Sequence, residues 1–294
     1  MKTKIFRILL WGGFGDIILI TGCLSALKKK FPAAKVVLYC PNNKMEIFNH
    51  NPYVDRIIPL FFFQKPYLSI RYWRKRFQFT RTDLSFLHIA KLYRVPASQI
   101  YGEILRVKND DRTEIYLTRK EEEWALDTLK NYTFPVILHV TSECSVNHMW
   151  PAEKWEELVR RMNSVTFIQI GYHKEARIEG AVDFRGKTSI RQAMALIKYC
   201  RSFAGVDSFF GHVTNAFDIP GVILFGDSSP IIWGHANNIN ISKNLECSPC
   251  YETLLGENCP YGKLCMHTIA VDEVQQALEK QLMRNEVPAV LNNL

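Results

Sequence analysis

What most constrains this chain is a rhythm that occurs twice: short apolar runs of strand length alternating with amphipathic segments of helix length. Ile5 to Leu10 is an apolar run. Trp11-Gly12-Gly13-Phe14-Gly15 follows, and Asp16 opens a periodic segment to Lys30, which reads as strand, glycine loop and helix. Residues 35–40 and 54–59 give two further strands, with a helix predicted over Pro41 to Asn49 between them. This β-α-β-α-β order implies a parallel, doubly wound sheet. After a charged helix from Arg119 to Asn131, the alternation starts again at Phe134 to Val140. It continues through strands at 165–170, 202–206 and 221–225 and helices at 155–162, 190–200 and 211–217. An amphipathic helix from Val271 to Met283 closes the chain. Two successive α/β halves in 294 residues predict two domains, 1–132 and 133–294. A central cleft is expected between the carboxyl ends of their sheets, where such folds bind ligands.

One stretch breaks the rhythm. Between residues 61 and 82, Phe61, Phe62, Phe63, Tyr67, Tyr72, Trp73, Phe77 and Phe79 interleave with Lys65, Arg71, Arg74, Lys75, Arg76 and Arg81. A helix is predicted after it, over Ser85 to Tyr93, and a turn-rich connector over Asn109 to Glu114. The chain carries 37 basic against 29 acidic residues, a net charge of +8, which favours an anionic partner. Aromatic and basic residues together can bind single-stranded nucleic acid. Nothing else in the chain looks like a nucleic-acid module, so phosphorylated or carboxylated molecules and anionic membrane surfaces are the better readings. Met1 to Cys23 imitates a lipoprotein signal, but Asp16 and the glycines interrupt its apolar core. No run reaches the roughly 18 apolar residues that span a bilayer, and a cytoplasmic location is expected.

Three loops carry candidate chemistry. Gly12-Gly13-Phe14-Gly15-Asp16 lacks the G-x-G-x-x-G order of a dinucleotide loop, and its Asp would repel a phosphate. Asp16 is either a helix cap or a general base facing a substrate that the glycines admit close to the backbone; local sequence leaves both open. Thr141-Ser142 follows a strand and precedes His148-Met149-Trp150-Pro151 and Trp155. Hydroxyls and amides in that position suit phosphate oxygens, although a Ser/Thr-rich loop and a core tryptophan would look the same. Asp207, Ser208 and His212 also follow a strand and open a helix, either capping it or converging on a ligand.

Of eight cysteines, Cys23, Cys40, Cys144 and Cys200 stand among apolar residues and read as buried thiols. Cys247-x2-Cys250-x8-Cys259-x5-Cys265 can supply four thiolates to one tetrahedral ion, zinc by default or iron. Two disulfides are the alternative, and a reducing compartment favours the metal.

Taken in order, these pieces resemble glycosyltransferase family nine, the ADP-heptose heptosyltransferases of bacterial surface-polysaccharide assembly. The matching stretches are Gly15-Asp16-Ile17, Leu24 to Pro32, Asn51-Pro52-Tyr53-Val54-Asp55, Trp150 to Trp155, Phe184 to Ser189, Gly205-Val206-Asp207-Ser208 with His212, Pro220 to Gly226, and the block from Cys247 to Met266. The resemblance implies the GT-B fold, with an acceptor-binding first domain and a nucleotide-sugar-binding second one. It also implies inversion at the anomeric carbon without a catalytic metal. Asp16 would be the base, with Gly13, Gly15, Arg71, Arg74 and Arg76 meeting the acceptor. Thr141, Ser142, His148, Glu175, Asp207, Ser208 and His212 would bind the donor, ADP-heptose, and the four cysteines a structural zinc or iron. The acceptor would be a lipopolysaccharide core or, in the autotransporter-modifying relatives, a protein hydroxyl, with peripheral contact at the inner membrane. Two departures stand out. His148 replaces a lysine usual two residues before the Trp-Pro pair, and Phe209 replaces a glycine after Asp207-Ser208. Both leave a catalytically weakened, sugar-binding relative as a further alternative.

Overall fold

The computed structural model describes residues 4–10, 12–60, 80–82 as backbone, 95–250 and 259–284. It divides into two compact units, Met1–Leu117 and Thr118–Leu294.

In the first unit, strands β1 (Ile5–Leu10), β2 (Lys35–Pro41), β3 (Arg56–Leu60) and β4 (Thr80–Thr82) form one parallel sheet in the order β3-β2-β1-β4. Ile8, Leu9 and Leu10 of β1 and Val36 and Leu38 of β2 are buried, as are Cys23, Leu24 and Leu27 of the helix α2 (Thr21–Lys30). A short helix, α1 (Phe14–Ile18), precedes it. Gly22 must be a glycine, since a Cβ there would lie 1.7 Å from the Arg112 carbonyl oxygen. That close approach lets the connector lie along α2, held by Glu114 N–H donating to Thr21 Oγ1 at 2.7 Å and Ser25 Oγ donating to Glu114 Oε1 at 2.6 Å.

Two expectations for this unit need correction. The predicted helix at Pro41 to Asn49 is a 3-10 helix over Asn42–Phe48. Asn49 N–H closes on Glu46 O with three-residue spacing, and Asn42 and Asn43 have low intrinsic helix propensity. A helix not foreseen, α3 (Ala97–Leu105), buries Ile100, Tyr101 and Leu105. The helix expected over Ser85 to Tyr93 lies outside the described residues.

The second unit begins with helix α4 (Arg119–Leu129), capped by Thr118 and Glu121. Ion pairs join it to α6 (Ile190–Tyr199): Arg191 to Glu121 at 2.7 Å, and Lys198 to Glu122. Six parallel strands follow: β5 (Pro135–His139), β6 (Thr166–Gln169), β7 (Val182–Asp183), β8 (Ser202–Val206), β9 (Gly221–Phe225) and β10 (Ile239–Ser242). Their order is β10-β9-β8-β5-β6-β7. Strands β5, β8 and β9 are buried along their whole length, as parallel strands covered on both faces should be. Helices α5 (Ala152–Arg161) and α8 (Val271–Arg284) cover one face, packing Trp155, Leu158, Val274 and Leu278 on Val136, Leu138, Val222 and Leu224. Strands β7 and β10 were too short to give a periodic signal.

Cys23, Cys40 and Cys200 are buried, and burial pushes each thiol up to about 12. Cys144 corrects the expectation for the fourth: it is exposed, because it sits on the polar loop that leaves β5 and not in the layer beneath it. Among the described residues, no helix is long and apolar enough to cross a membrane.

Candidate functional site

Both sheets reverse direction beside their first strand. In the first unit the order runs outward from β1 through β2 to β3, while β4 lies on the other side. In the second it runs from β5 to β6 and β7 one way, and through β8, β9 and β10 the other. Loops leaving the two strands at such a switch point diverge and open a crevice at their carboxyl ends. The predicted residues follow this rule. Asp16 follows β1; Thr141, Ser142 and His148 follow β5; Glu175 follows β6; Asp207 and Ser208 follow β8.

In the first unit, Asp16 occupies the third position of α1, and its Oδ2 accepts from Gly13 N–H at 2.6 Å. It therefore caps the helix. Gly12 has φ of +108°, and a Cβ there would fall 2.5 Å from Asp16 Oδ2, so only glycine lets the loop fold over this carboxylate. Lys44, on the 3-10 helix, donates from Nζ to Gly12 O and lies 5.7 Å from the centre of the Phe14 ring. The sequence offered no local signal for Lys44, which reaches the loop from 32 residues away. Arg71, Arg74 and Arg76 lie outside the described residues.

In the second unit, one polar network joins the loops after β5, β8 and β9. His148 is buried; its Nδ1 lies 3.1 Å from Ser142 Oγ and 3.2 Å from Asp207 O. Its Nε2 lies 2.7 Å from Oδ1 of Asp227, which is itself 1% exposed in its side chain. Asp227 Oδ2 accepts from Ser145 Oγ at 2.7 Å, and Asp207 Oδ2 accepts from Ser228 Oγ at 2.5 Å. Burial disfavours a charged His148, but the hydrogen bond it gives to Asp227 and the charges of Asp207 and Asp227 outweigh it and raise its pKa. Burial raises Asp207, opposed by His148 and Ser228. Asp227 is also desolvated, yet His148 and Ser145 hold it below the usual carboxylate range. The site thus joins an imidazole whose pKa is raised, an Asp227 held low and an Asp207 pushed up by burial.

The expected helix-capping role of the Asp207-Ser208 pair is not realised: Ser208 makes no side-chain cap bond. Its Oγ lies 3.1 Å from His139 Nδ1, and His139 packs edge-on against Phe210. Burial pushes His139 down to about 4. His212 is buried one turn into the helix α7 (Phe209–Phe217), with Nδ1 2.7 Å from His235 Nε2, and burial holds it well below its ordinary value. The pair reaches the His148 network through the charge of His235, which acts on Asp207.

On the far side of β5, Tyr172 N–H donates to Glu175 Oε1 at 2.8 Å, while the buried Oε2 has no hydrogen-bond partner. Gly171, with φ of +139°, leaves the space that this carboxylate fills. Arg185 donates to the Glu175 carbonyl and forms a two-pronged pair with Asp183 at 2.8 and 3.0 Å.

Asp227 and Ser228 were missed, although a signal existed: they follow β9 as Asp207 and Ser208 follow β8. Ser145, His139 and His235 carried none.

Near these loops, Cys250 and Cys265 are pushed up to about 11, first by burial and then by the fields of Asp227, Cys247 and Cys259. The four thiols thus lie within electrostatic reach of one another, and their chemistry suits a borderline or soft cation. Among the described residues, however, no three His, Cys, Asp or Glu side chains stand in an arrangement that could hold a metal ion.

Comparison with known proteins accords with this geometry. Lipopolysaccharide heptosyltransferase 1 of Salmonella typhimurium is 28% identical over 116 residues, a stretch spanning 36% of this chain and 36% of that relative. The fold is shared with the E. coli ADP-heptose lipopolysaccharide heptosyltransferase II, at 16% identity and a TM-score of 0.71 over 97% of this chain and 100% of that one. It is also shared with the iron-containing dodecameric glycosyltransferase TibC from enterotoxigenic E. coli H10407, at 16% identity and a TM-score of 0.71 over 98% and 82%. A family model described as Glycosyltransferase family 9 (heptosyltransferase) matches residues 103–259, more than half of the chain, including every donor-loop residue above. Two doubly wound α/β units of the GT-B class and this match establish that the chain belongs to glycosyltransferase family 9.

Proposed function

We propose that the protein is an inverting glycosyltransferase that moves heptose from ADP-heptose to a saccharide of the bacterial envelope such as a lipopolysaccharide core. The observation that carries this reading is the convergence of Ser142, His148 and Asp207 at the second unit's switch point, inside the family match. In this reading Thr141, Ser142 and His148, whose pKa is raised, meet the diphosphate, and Glu175 offers its Oε2, unpartnered among the described residues, to a ribose hydroxyl. Asp207 and Ser208 face the sugar and its phosphate. An Asp207 drawn toward neutrality repels the diphosphate less than a full anion would. His212 supports this region through His235.

Asp16 would release its hold on Gly13 N–H in part and take the proton of the acceptor hydroxyl. The hydroxyl oxygen then attacks the anomeric carbon from the face opposite the diphosphate. The bond from that carbon to the diphosphate oxygen breaks with its electron pair, ADP leaves, and the anomeric configuration inverts. Gly13 and Gly15 admit the acceptor to the backbone, and Arg71, Arg74 and Arg76 supply charge for its anionic groups. No divalent metal takes part in transfer. The four cysteines would hold a structural zinc or iron. The chain would work in the cytoplasm, touching the inner membrane from that side, with no role for nucleic acid.

A second reading, transfer to a protein hydroxyl, is favoured by one observation: the chain, with its four cysteines at 247, 250, 259 and 265, shares its fold with an iron-containing glycosyltransferase. Incubation with a panel of ADP- and UDP-sugars, a rough-core lipopolysaccharide and an envelope protein extract decides between them by mass spectrometry of the products. Lipopolysaccharide heavier by one heptose supports the first reading, modified protein supports the second, and turnover of no donor refutes both.

A further inference from the structure

We infer that Asp227 is a positioning residue for the donor, fixing His148 against the loop after β5, and that the cysteine-bearing loop fixes Asp227 in turn. This rests on the donor reading above, in which His148 meets the diphosphate.

The two nitrogens of His148 are used in different directions. Nε2 lies 2.7 Å from Asp227 Oδ1, while Nδ1 lies on the side of Ser142 Oγ and Asp207 O. The partner of one ring nitrogen sets how the other is aimed. Asp227 is held by its second oxygen through Ser145 Oγ, so it ties two positions of the same loop, 145 and 148, to the end of β9. Both partners are buried, and neither can be replaced by water without a change in packing.

The backbone under Asp227 is not held by β9 alone. Cys250 N–H donates to Asp227 O at 2.8 Å, and Ser248 Oγ donates to Gly226 O at 2.5 Å. On the other loop, Cys259 N–H donates to Asn147 Oδ1 at 3.2 Å. Met266, fully buried, packs so closely on Gly226 that a Cβ there would meet its Cγ and Sδ at 2.7 Å. Ser248, Cys250, Cys259 and Met266, which stand beside or among the four cysteines, therefore grip both halves of the His148–Asp227 pair. They are the outer support of the diphosphate loop, and not a separate appendage.

The test is calorimetric titration with ADP of four proteins: wild type, Asp227→Ala, His148→Ala and the double variant. Loss of one charge-assisted hydrogen bond to the ligand corresponds to about 10- to 100-fold in affinity. Asp227→Ala should show a loss of that order, while Asp227→Asn, which keeps an acceptor for Nε2, should recover most of it. In the His148→Ala background, Asp227→Ala should add nothing, since Asp227 acts through the imidazole. Ser248→Ala should weaken ADP by about two- to tenfold although Ser248 is not a phosphate contact, and it serves if Asp227→Ala does not fold. Equal ADP affinity in wild type, Asp227→Ala and Ser248→Ala, or an equal loss in both His148 backgrounds, overturns the inference while leaving the donor reading intact. A wild-type chain that does not bind ADP refutes the donor reading and this one with it.

Discussion

Replacing Asp16 by asparagine and by alanine separates the two roles that its position combines. The carboxylate accepts from Gly13 N–H at 2.6 Å at the third position of a five-residue helix. Asparagine keeps an acceptor there and loses only the interaction of a charge with the helix end, about 0.3–1 kcal/mol. For a chain of this size that corresponds to a few degrees in melting temperature at most. Alanine also abandons the bond, at a cost of about 0.5–2 kcal/mol. Loss of a general base lowers turnover by about 10²–10⁴-fold, or roughly 2.7–5.5 kcal/mol in the barrier. The catalytic effect thus exceeds the capping effect, and asparagine should show nearly all of it with little loss of stability. The assay is ADP release at saturating donor and acceptor, read beside a thermal melt. Turnover by Asp16→Asn at the wild-type rate would refute the assignment, and a fall in melting temperature as large as that of Asp16→Ala would show that the damage is structural.

Glu175→Gln should raise the KM for the nucleotide-sugar by about tenfold while leaving kcat near wild type, since a ribose contact made equally in ground and transition states alters binding alone; steady-state kinetics checks this. Hydrogen bonding to Arg191 lowers Glu121 from 4.5 to about 2. Its contribution to stability is therefore present above pH 4.5 and lost as pH falls toward 2, and in acid melts Glu121→Gln should remove that part of the wild-type decline. Protein purified without added metal should contain close to one zinc or iron per chain by elemental analysis. Chelation should then lower the melting temperature; metal-free protein with unchanged stability would contradict the structural-metal reading.

Much of the architecture was legible because hydrophobic period is a local property. Runs such as Val136 to Leu138 and Ser202 to Val206 lie in parallel strands buried on both faces, and such strands read as continuous apolar runs. Two-residue β7 carries no period to read. The segment Asn42–Phe48 has a helical pattern but forms a 3-10 helix, a distinction of hydrogen-bond spacing that hydrophobic period does not encode. Grouping Cys144 with the core thiols overlooks its neighbours Ser142, Glu143, Ser145 and Asn147, which are polar and mark the exit of the loop from the sheet. At the site, residues on strand-to-helix loops could be found by position, and their partners could not. Asp227 meets Ser145 across 82 residues, and His235 meets His212 across 23. Long-range pairing of that kind is set by strand order, with β9 beside β8 and β8 beside β5, which periodicity does not encode.

The central claim is that the donor diphosphate binds where β5 and β8 diverge. A crystal structure of the protein with ADP tests it most directly. The account predicts phosphate density within hydrogen-bond distance of Ser142 Oγ and His148, with the ribose hydroxyls on Glu175. Diphosphate bound instead at the glycine loop beside Asp16, or ribose remote from Glu175, would contradict it.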